Sequence, residues 1–282
     1  MSKVIICGNQ KGGVAKTTTV VNLGIGLARK GKKVLVIDND PQGSLTEALG
    51  YQEPDRLEIT LAQVMDWVLN EEKFDLDAGI LHHAEGVDLM PANIELSGVE
   101  TSLVGIMSSE TVLKEYIEMI DDRYDYIIVD CSPNLGQLTL NALVAADEII
   151  IPVQAAYLSI KGLEQLLKTI SRVKRKMNPK LHIMGILLTM VDYRTNYANE
   201  ITDVLYQVYG NSIHIFENVI PMSVRAAETP AEGISIYKHD AKGKVGQKLI
   251  VDISEHTKDY YVKLIRYGDY NGSPFRSLDY FR

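Results

Sequence analysis

Short apolar runs alternate with stretches of helical periodicity along most of this 282-residue chain. The runs are nearly continuous, unlike the alternating pattern of a strand that has one face in water. Such strands are buried on both faces, which indicates a doubly wound α/β fold with a mostly parallel β-sheet flanked by helices. The predicted strands are residues 4–7, 33–37, 126–129, 148–153, 183–188 and 213–220, with a further one near 87–90.

Between the strands, apolar residues recur every three or four positions, which is the spacing of an amphipathic helix. The segment 50–122 is less regular and predicts short helices. A final helix is predicted over residues 245–265. The apolar stripes are Val20, Leu23 and Leu27 in the first helix, Leu163, Leu166, Leu167 and Ile170 in a later one, and Leu249, Ile253, Tyr260 and Leu264 in the last.

Composition narrows the class of protein. Apolar residues make up 46% and charged residues 23%, as in an ordinary globular protein, and no apolar run approaches the length of a membrane span. The formal charge of −8 means that any binding to nucleic acid needs a local basic patch. Cys7 and Cys131 fall in or beside predicted buried strands, which predicts packing roles and a reducing, cytoplasmic setting.

The first strand runs into a glycine-rich turn that ends in lysine and threonine. Residues 8–18 read G-N-Q-K-G-G-V-A-K-T-T. Backbone N–H groups and a helix N-terminus converge on an anion in such a loop, and Lys16 adds a full positive charge. The common phosphate-loop pattern has glycine where this chain has Gln10 and Ala15. A plain glycine turn before a helix is the alternative, but it does not explain the second lysine, Lys11.

Carboxylates follow two of the predicted strands. The run 34–37 ends in Asp38-Asn39-Asp40-Pro41-Gln42-Gly43, and the run 126–129 ends in Asp130. Ligands bind beyond the carboxyl ends of parallel strands, so these acids should face the phosphate loop. A single strand-end aspartate is often only a helix cap. Three such features in this order favour a site for a nucleotide and Mg²⁺.

These motifs together identify a family. The chain resembles the ParA family of partition ATPases, within the deviant phosphate-loop group that includes MinD, over roughly residues 1–255. Small departures from the family pattern are Ala15, Asn39 and Ser132. The carrying segments are residues 9–19, 21–24 and 38–43, then D-C-S-P-N-L-G at 130–136, I-P-V-Q at 151–154, Gly162-Leu163 and Leu188-Thr189-Met190.

The resemblance implies ATP and Mg²⁺ as cofactors, an ATP-driven sandwich homodimer, and a role for each matching residue. Lys16 would hold the β- and γ-phosphates, Thr18 would reach the α-phosphate, and Lys11 would cross into the partner's nucleotide site. Asp40 would orient the attacking water. Asp38 would support Lys16 or the magnesium waters. The implied nucleotide contacts are Lys11, Gly12, Gly13, Val14, Ala15, Lys16, Thr17 and Thr18, with Met190, Pro221 and Met222 near adenine, and the implied magnesium contacts are Thr17, Asp38 and Asp130.

A basic cluster supplies the output that we predict for this ATPase. Residues 161–180 carry seven lysines and arginines against one acid, Glu164. A solvated helix face is the simpler interpretation of such a run, but the resemblance favours nonspecific double-stranded DNA, because Arg194 and Arg225 match positions where ParA-like proteins contact DNA. The predicted DNA contacts are Lys168, Arg172, Lys174, Arg175, Lys176, Arg194 and Arg225.

The sequence therefore predicts a cytoplasmic, nucleoid-associated ATPase for the partition of a plasmid, mobile element or chromosome. A centromere-bound ParB-like partner would trigger hydrolysis and release from DNA. A MinD-like membrane regulator and a cargo-positioning ATPase are the alternatives, and paired interfacial cysteines for electron transfer are not evident. Residues 1–267 are predicted to form one phosphate-loop ATPase domain, and 268–282 a C-terminal tail that is an arm or disordered.

Overall fold

The computed structural model describes residues 1–155, 157–192, 196–241, 250–256 and 259–265. Its strands are β1 (Lys3–Cys7), β2 (Val34–Asn39), β3 (Leu81–His82), β4 (Asp88–Met90), β5 (Tyr126–Cys131), β6 (Glu148–Gln154), β7 (His182–Val191), β8 (Ile220–Pro221), β9 (Ile250–His256) and β10 (Asp259–Ile265). Strands β1 to β8 form one sheet in the order β3-β4-β2-β5-β1-β6-β7-β8. Every neighbouring pair in it is parallel except β3 with β4. The predicted fold class is confirmed.

Helices connect the strands. They are α1 (Lys16–Ala28), α2 (Ser44–Ala48), α3 (Leu61–Leu69), α4 (Leu96–Ser102), α5 (Val112–Ile120), α6 (Gln137–Ala145), α7 (Tyr157–Lys176), α8 (Asn196–Tyr209), α9 (Val224–Glu232) and α10 (Ile236–His239), with short 3₁₀ turns at Pro54–Arg56 and Ser109–Thr111. The irregular pattern over 50–122 thus corresponds to short helices and a strand near 87–90, as predicted, and that strand pairs with the unpredicted β3.

Two hydrophobic cores lie on opposite faces of the sheet. Alternate residues of each central strand enter one core or the other, as Val4 and Ile6 do on one side of β1 and Ile5 and Cys7 on the other. The first core contains α3, α5, α6 and α7, and the second contains α1, α2 and α10. Burial on both faces explains why the strands read as continuous apolar runs.

Two of the predicted elements are wrong. Residues 213–220 do not form one strand: Ile215 makes an isolated bridge with Ile186, and β8 is only Ile220–Pro221. The polar pair Glu217-Asn218 interrupts the run between these contacts.

The helix predicted over 245–265 is replaced by an antiparallel hairpin of β9 and β10. The β-branched and aromatic residues of this segment, such as Val251, Ile253 and Tyr261, favour strands, and the spacing that suggested a helix was the weaker signal. Residues 242–249 and the predicted tail 268–282 lie outside the described residues.

Candidate nucleotide site

The turn between β1 and α1 is held from behind by the neighbouring strands. The N–H of Gly8 donates to the Ile150 carbonyl (3.1 Å), and the Asn9 side chain donates to the Pro152 carbonyl (2.6 Å). The Thr189 hydroxyl donates to the Val14 carbonyl (3.1 Å). These contacts fix the loop on the sheet, while Gly12 and Gly13 remain exposed with no atom within 4 Å of an added Cβ. The loop is therefore fixed at its base and open where phosphates would lie.

One departure from the phosphate-loop pattern, Ala15, has an unusual backbone conformation. Ala15 has φ 63° and ψ 34°, the left-handed region that glycine adopts without strain. It also accepts hydrogen bonds from the N–H and hydroxyl of Thr19, at 3.0 and 2.7 Å, which hold the first turn of α1. The loop therefore keeps the glycine conformation at this position with a side chain present.

The two lysines of the loop have different surroundings. Lys16 is buried, and its side chain folds back so that its ammonium lies 3.4 Å from the carbonyl of Lys11. Lys11 is half-buried, and its ammonium lies 3.5 Å from Oε1 of Gln154 at the end of β6. A hydrogen bond of that length is weak and easily exchanged. Lys16 thus faces its own loop, and Lys11 lies at the edge of the site.

Strand register brings two of the predicted acids side by side. Asp38 of β2 pairs with Asp130 of β5, and Cys7 of β1 pairs with Asp130 from the other side. The Thr17 hydroxyl donates to Oδ2 of Asp130 at 2.6 Å, which joins the start of α1 to the end of β5. Thr17 and Asp130, both predicted magnesium contacts, are therefore adjacent.

Asp130 has the features of a cation site. It is buried, and its Oδ1 has no hydrogen-bond partner among the described residues. Burial raises the pKa of Asp130 to about 7, against the opposing effects of the Thr17 hydrogen bond and the Lys16 charge, and Asp40 raises it further. A buried carboxylate oxygen beside a threonine hydroxyl fits a hard cation that prefers oxygen ligands.

Both carboxylate oxygens of Asp38 accept hydrogen bonds from the protein. Its Oδ2 accepts from the N–H and the hydroxyl of Thr46, both at 2.8 Å, and its Oδ1 accepts from the N–H of Asp40 at 3.3 Å. Burial, then the neighbouring Asp130 charge, raises the pKa of Asp38 to about 8, although the Thr46 hydrogen bonds lower it. Asp38 thus anchors α2 and positions Asp40, whose half-buried carboxylate accepts from the Gln42 N–H at 3.1 Å.

The residues predicted near adenine come together at the end of β7 and β8. Val191 pairs with Pro221, and the N–H of Met222 donates to the Val191 carbonyl at 3.3 Å. Met190 has φ 52° where the register of the two strands shifts. A positive φ at a long side chain is uncommon and clusters at functional sites. Met222 is exposed. All three residues therefore lie close together where β7 and β8 end.

The predicted DNA contacts are divided between the two faces of the sheet. Lys168, Arg172, Lys174, Arg175 and Lys176 are all exposed on α7, which packs on the first core, and Lys168 pairs with Glu164 at 2.6 Å. Arg225 lies at the start of α9, whose Ala226 packs on the second core, and it pairs with Asp240 at 2.5 Å. Arg194 lies outside the described residues.

Sequence reasoning missed several residues that hold the site together. Thr46 fixes Asp38, Thr189 fixes the loop, and Gln154 contacts Lys11. Asn22 bridges α1 and α10, since its Nδ2 donates to the Thr18 carbonyl (2.8 Å) and its Oδ1 accepts from the Ile236 N–H (2.9 Å). Asn22, Gln154 and Thr189 lie in the segments that carry the family resemblance, so the family motifs could have pointed to them. Thr46 lies outside those segments, and no sequence pattern marked it.

Cys7 and Cys131 are both free and buried, in agreement with the packing roles predicted for them. In the part of the chain that the structure describes, no helix is both long and apolar enough to cross a bilayer.

Comparison with known proteins agrees with the geometry. Residues 2–183 match a family described as an AAA domain. The chain is 40% identical over 255 residues to the sporulation initiation inhibitor protein Soj of Bacillus subtilis, covering 90% of this chain and 98% of that protein. It is 36% identical over 266 residues to the chromosome partitioning protein ParA of Caulobacter vibrioides, covering 93% and 97%.

A solved structure shares the architecture as well. Cobyrinic acid a,c-diamide synthase from Mycobacterium smegmatis, with bound ADP and magnesium, has a TM-score of 0.74 and 36% identity, covering 87% of this chain and 98% of that one. The extent of the sequence matches, together with the loop and its carboxylates, shows that this chain belongs to the ParA/Soj family of ATPases.

Proposed function

We propose that this protein is a Mg²⁺-dependent ATPase that partitions DNA through an ATP-driven dimer. The observation that carries the proposal is the convergence of the loop at 8–18, the Thr17–Asp130 hydrogen bond and the Asp38–Asp40 segment at one edge of the sheet. Two relatives named for chromosome partitioning match 86% and 93% of this chain, which supports the biological role.

Nucleotide binding follows from the loop. Exposed backbone N–H groups around Gly12 and Gly13, the N-terminus of α1 and the Lys16 ammonium would surround the phosphates. Thr17 and Asp130 would hold Mg²⁺, which supplies neutralisation of phosphate charge. Thr18 would contact the α-phosphate, and Met190, Pro221 and Met222 would flank adenine. Lys16 would move from the Lys11 carbonyl to a phosphate oxygen, a stronger acceptor.

Hydrolysis needs a positioned water and compensation of developing charge. Asp40 would orient the water, since its N–H is tied to Asp38 and its carboxylate is partly exposed. Lys11 would leave Gln154 and reach the triphosphate of a second copy. A cation supplied in this way is worth about 10³–10⁵ in rate for arginine fingers. Hydrolysis would then depend on dimerisation.

The ATP-bound dimer would bind DNA nonspecifically, and a ParB-like partner would stimulate hydrolysis and release. The exposed cations of α7 and Arg225 support the DNA step. Contacts of this kind recognise backbone phosphates rather than base sequence, and they weaken steeply as the salt concentration rises.

ATP turnover and dimer formation in two variants test the scheme. Lys16→Ala is expected to abolish nucleotide binding, measured by titration with a fluorescent ATP analogue. Asp40→Ala is expected to keep the ATP-dependent dimer, measured by light scattering, while stopping phosphate release. Asp55→Ala, an exposed aspartate remote from the loop in sequence, is the control. Rapid turnover by Asp40→Ala would remove that residue from catalysis, and ATP binding by Lys16→Ala would overturn the site.

A further inference from the structure

A second concave surface lies away from the phosphate loop. It is a cleft of about 870 Å³ between the end of α4, the start of α6 and the second half of α7. Its α7 wall is one stripe, since Thr169, Arg172, Val173 and Lys176 recur every three or four residues. None of the nucleotide contacts proposed above lines this cleft.

The cleft combines an apolar floor with a cationic wall. The exposed Val104 and Met177 and the half-buried Leu140 contribute apolar surface above the buried Val173. Arg172, Arg175 and Lys176 contribute three positive charges, on a chain whose formal charge is −8. The cleft is therefore amphipathic and locally positive.

Among the residues that line the cleft, the one carboxylate belongs to Glu100, and it lies at the N-terminus of α6. Glu100 reaches the N-terminus of α6, where its Oε1 lies 2.0 Å from the position that a Cβ on Gly136 would take. A carboxylate is favourable at a helix N-terminus because it faces unpaired N–H groups and the positive end of the helix dipole. Glu100 therefore faces α6, and the three cations on the opposite wall face the cleft.

We infer that this cleft binds an acidic amphipathic helical segment of a partner protein. Two turns of helix are about 11 Å long and about 10 Å across, which suits a cleft of this size. Apolar side chains of the segment would cover Val104, Leu140 and Met177, and its carboxylates would pair with Arg172, Arg175 and Lys176. This is the helix-in-groove mode of peptide recognition, and it goes beyond the proposed ATPase function.

Shape and chemistry favour a peptide over DNA or a membrane at this place. Duplex DNA contacts cations through its phosphates and has a convex, charged outline, which leaves an apolar floor uncovered. A lipid surface is flat on the scale of a cleft, whereas amphipathic elements that bind it are themselves convex helices. Because the cations are shared with the proposed DNA contacts, peptide and DNA would compete for α7.

Peptide binding to the full-length, nucleotide-free protein tests this inference independently of ATP hydrolysis. The probe is a fluorescent peptide of about 15 residues, mostly glutamate, with leucines at every third or fourth position. Its controls are a scrambled peptide and one with every leucine replaced by serine. The amphipathic peptide is expected to bind at least about tenfold more tightly than either control, because only it can bury apolar surface on a cationic groove.

Two matched pairs of substitutions locate the site. Val104→Ser with Met177→Ser removes apolar groups that are 66% and 43% exposed, so folding should be unaffected, and peptide affinity should fall about tenfold. Val208→Ser with Met119→Ser removes groups that are 55% and 45% exposed elsewhere and should change nothing.

Three results would overturn the inference. The first is equal binding of the amphipathic and leucine-free peptides. The second is unchanged peptide affinity in the Val104/Met177 double variant. The third is that the protein binds no peptide, while the double variant loses binding to duplex DNA or to anionic vesicles.

Discussion

At the scale of single residues, two of the four non-glycine residues with positive φ in the described part of the chain lie in the proposed nucleotide site. Ala15 and Met190 both have positive φ, at 63° and 52°, and they lie in the phosphate loop and in the adenine cluster. An L-residue in this region costs about 1–2 kcal/mol, so the fold must hold these residues in place by other contacts. The hydrogen bonds of Thr19 to Ala15 and of Thr189 to Val14 are such contacts.

Relief of the strain at Ala15 is measurable. Ala15→Gly is expected to raise the free energy of unfolding by up to about 1 kcal/mol, since glycine adopts φ 63° without a Cβ clash but loses more chain entropy on folding. The measurement is urea unfolding without nucleotide. Gly13→Ala is the opposite test: φ is +69° and no atom crowds an added Cβ, so the change isolates backbone conformation and should destabilise. Equal stability of all three proteins would show that the loop relaxes freely.

At the scale of elements, one asparagine connects the phosphate-loop helix to the segment after the adenine cluster. Asn22 bridges Thr18 and Ile236, and the Tyr237 hydroxyl donates to the Asn22 carbonyl at 3.1 Å. Arg29 lies over the Tyr237 ring, 5.3 Å from its centre. Helices α1 and α10 are therefore joined by side chains rather than by apolar packing alone.

Removal of this bridge should destabilise the fold. Asn22→Ala leaves the buried Ile236 N–H without its acceptor, which costs about 1–3 kcal/mol. Asn70→Ala is the matched control, because that side chain also donates to a helix carbonyl, Asp66, but is exposed. Denaturant unfolding of both variants gives the comparison. A loss at Asn22 no larger than at Asn70 would mean that water replaces the bridge.

A histidine joins α9 to α10. His239 contacts Glu232 through Nδ1 (3.0 Å) and Glu228 through Nε2 (3.2 Å). Both ring nitrogens can donate to carboxylates only in the imidazolium form. The hydrogen bond to Glu232, and then that to Glu228, raise the pKa of His239 against the effect of burial.

Stability should therefore depend on pH through this residue. Because the folded-state pKa is raised, the His239 contribution is complete below its ordinary value of about 6.5 and is lost as pH rises through the folded-state value. His239→Gln is expected to lower the melting temperature at acidic pH and to match the wild type at alkaline pH. His182→Gln, at an exposed histidine, is the control. A melting temperature difference that does not change with pH would contradict this assignment.

At the scale of the whole molecule, the sheet lies between two groups of proposed DNA contacts and carries the proposed nucleotide site at its carboxyl end. The carboxyl ends of β1, β2 and β5 carry the proposed nucleotide site, α7 carries the basic stripe on one face, and α9 carries Arg225 on the other. Residues so distant should contribute additively to DNA binding unless a dimer brings them together.

Charge reversal at Arg225 tests the proposed DNA surface. Arg225→Glu is expected to lose ATP-dependent binding to plain duplex DNA while keeping ATP-dependent dimerisation, because a phosphate contact becomes repulsive. Binding is measured by anisotropy over a series of salt concentrations, and dimerisation by light scattering. Arg56→Glu is the control, since Arg56 is also exposed and paired with an acid, Glu53 at 2.7 Å. Unaltered DNA retention in Arg225→Glu would exclude this residue from the surface.

Much of this protein could be predicted from local sequence. Continuous apolar runs determined the sheet and its parallel character, because burial on both faces leaves no polar alternation. The loop at 8–18 and the aspartates at the strand ends indicated the candidate site, since their spacing places them at strand–turn–helix junctions. The two wrong elements lie toward the C-terminus: at 213–220 a polar pair interrupts the apolar run, and at 245–265 a helical spacing coincides with residues that favour strands.

Only the tertiary structure decided what depends on contacts between distant segments. The pairing of β2 with β5 places Asp38 beside Asp130, and Thr46 then orients Asp38 from a helix that the pattern did not distinguish. The left-handed conformation of Ala15, the attachment of Lys11 to Gln154 and the cleft beside α7 likewise need several elements at once. Local sequence encodes burial and turn chemistry, whereas register and packing across the sheet determine which groups meet.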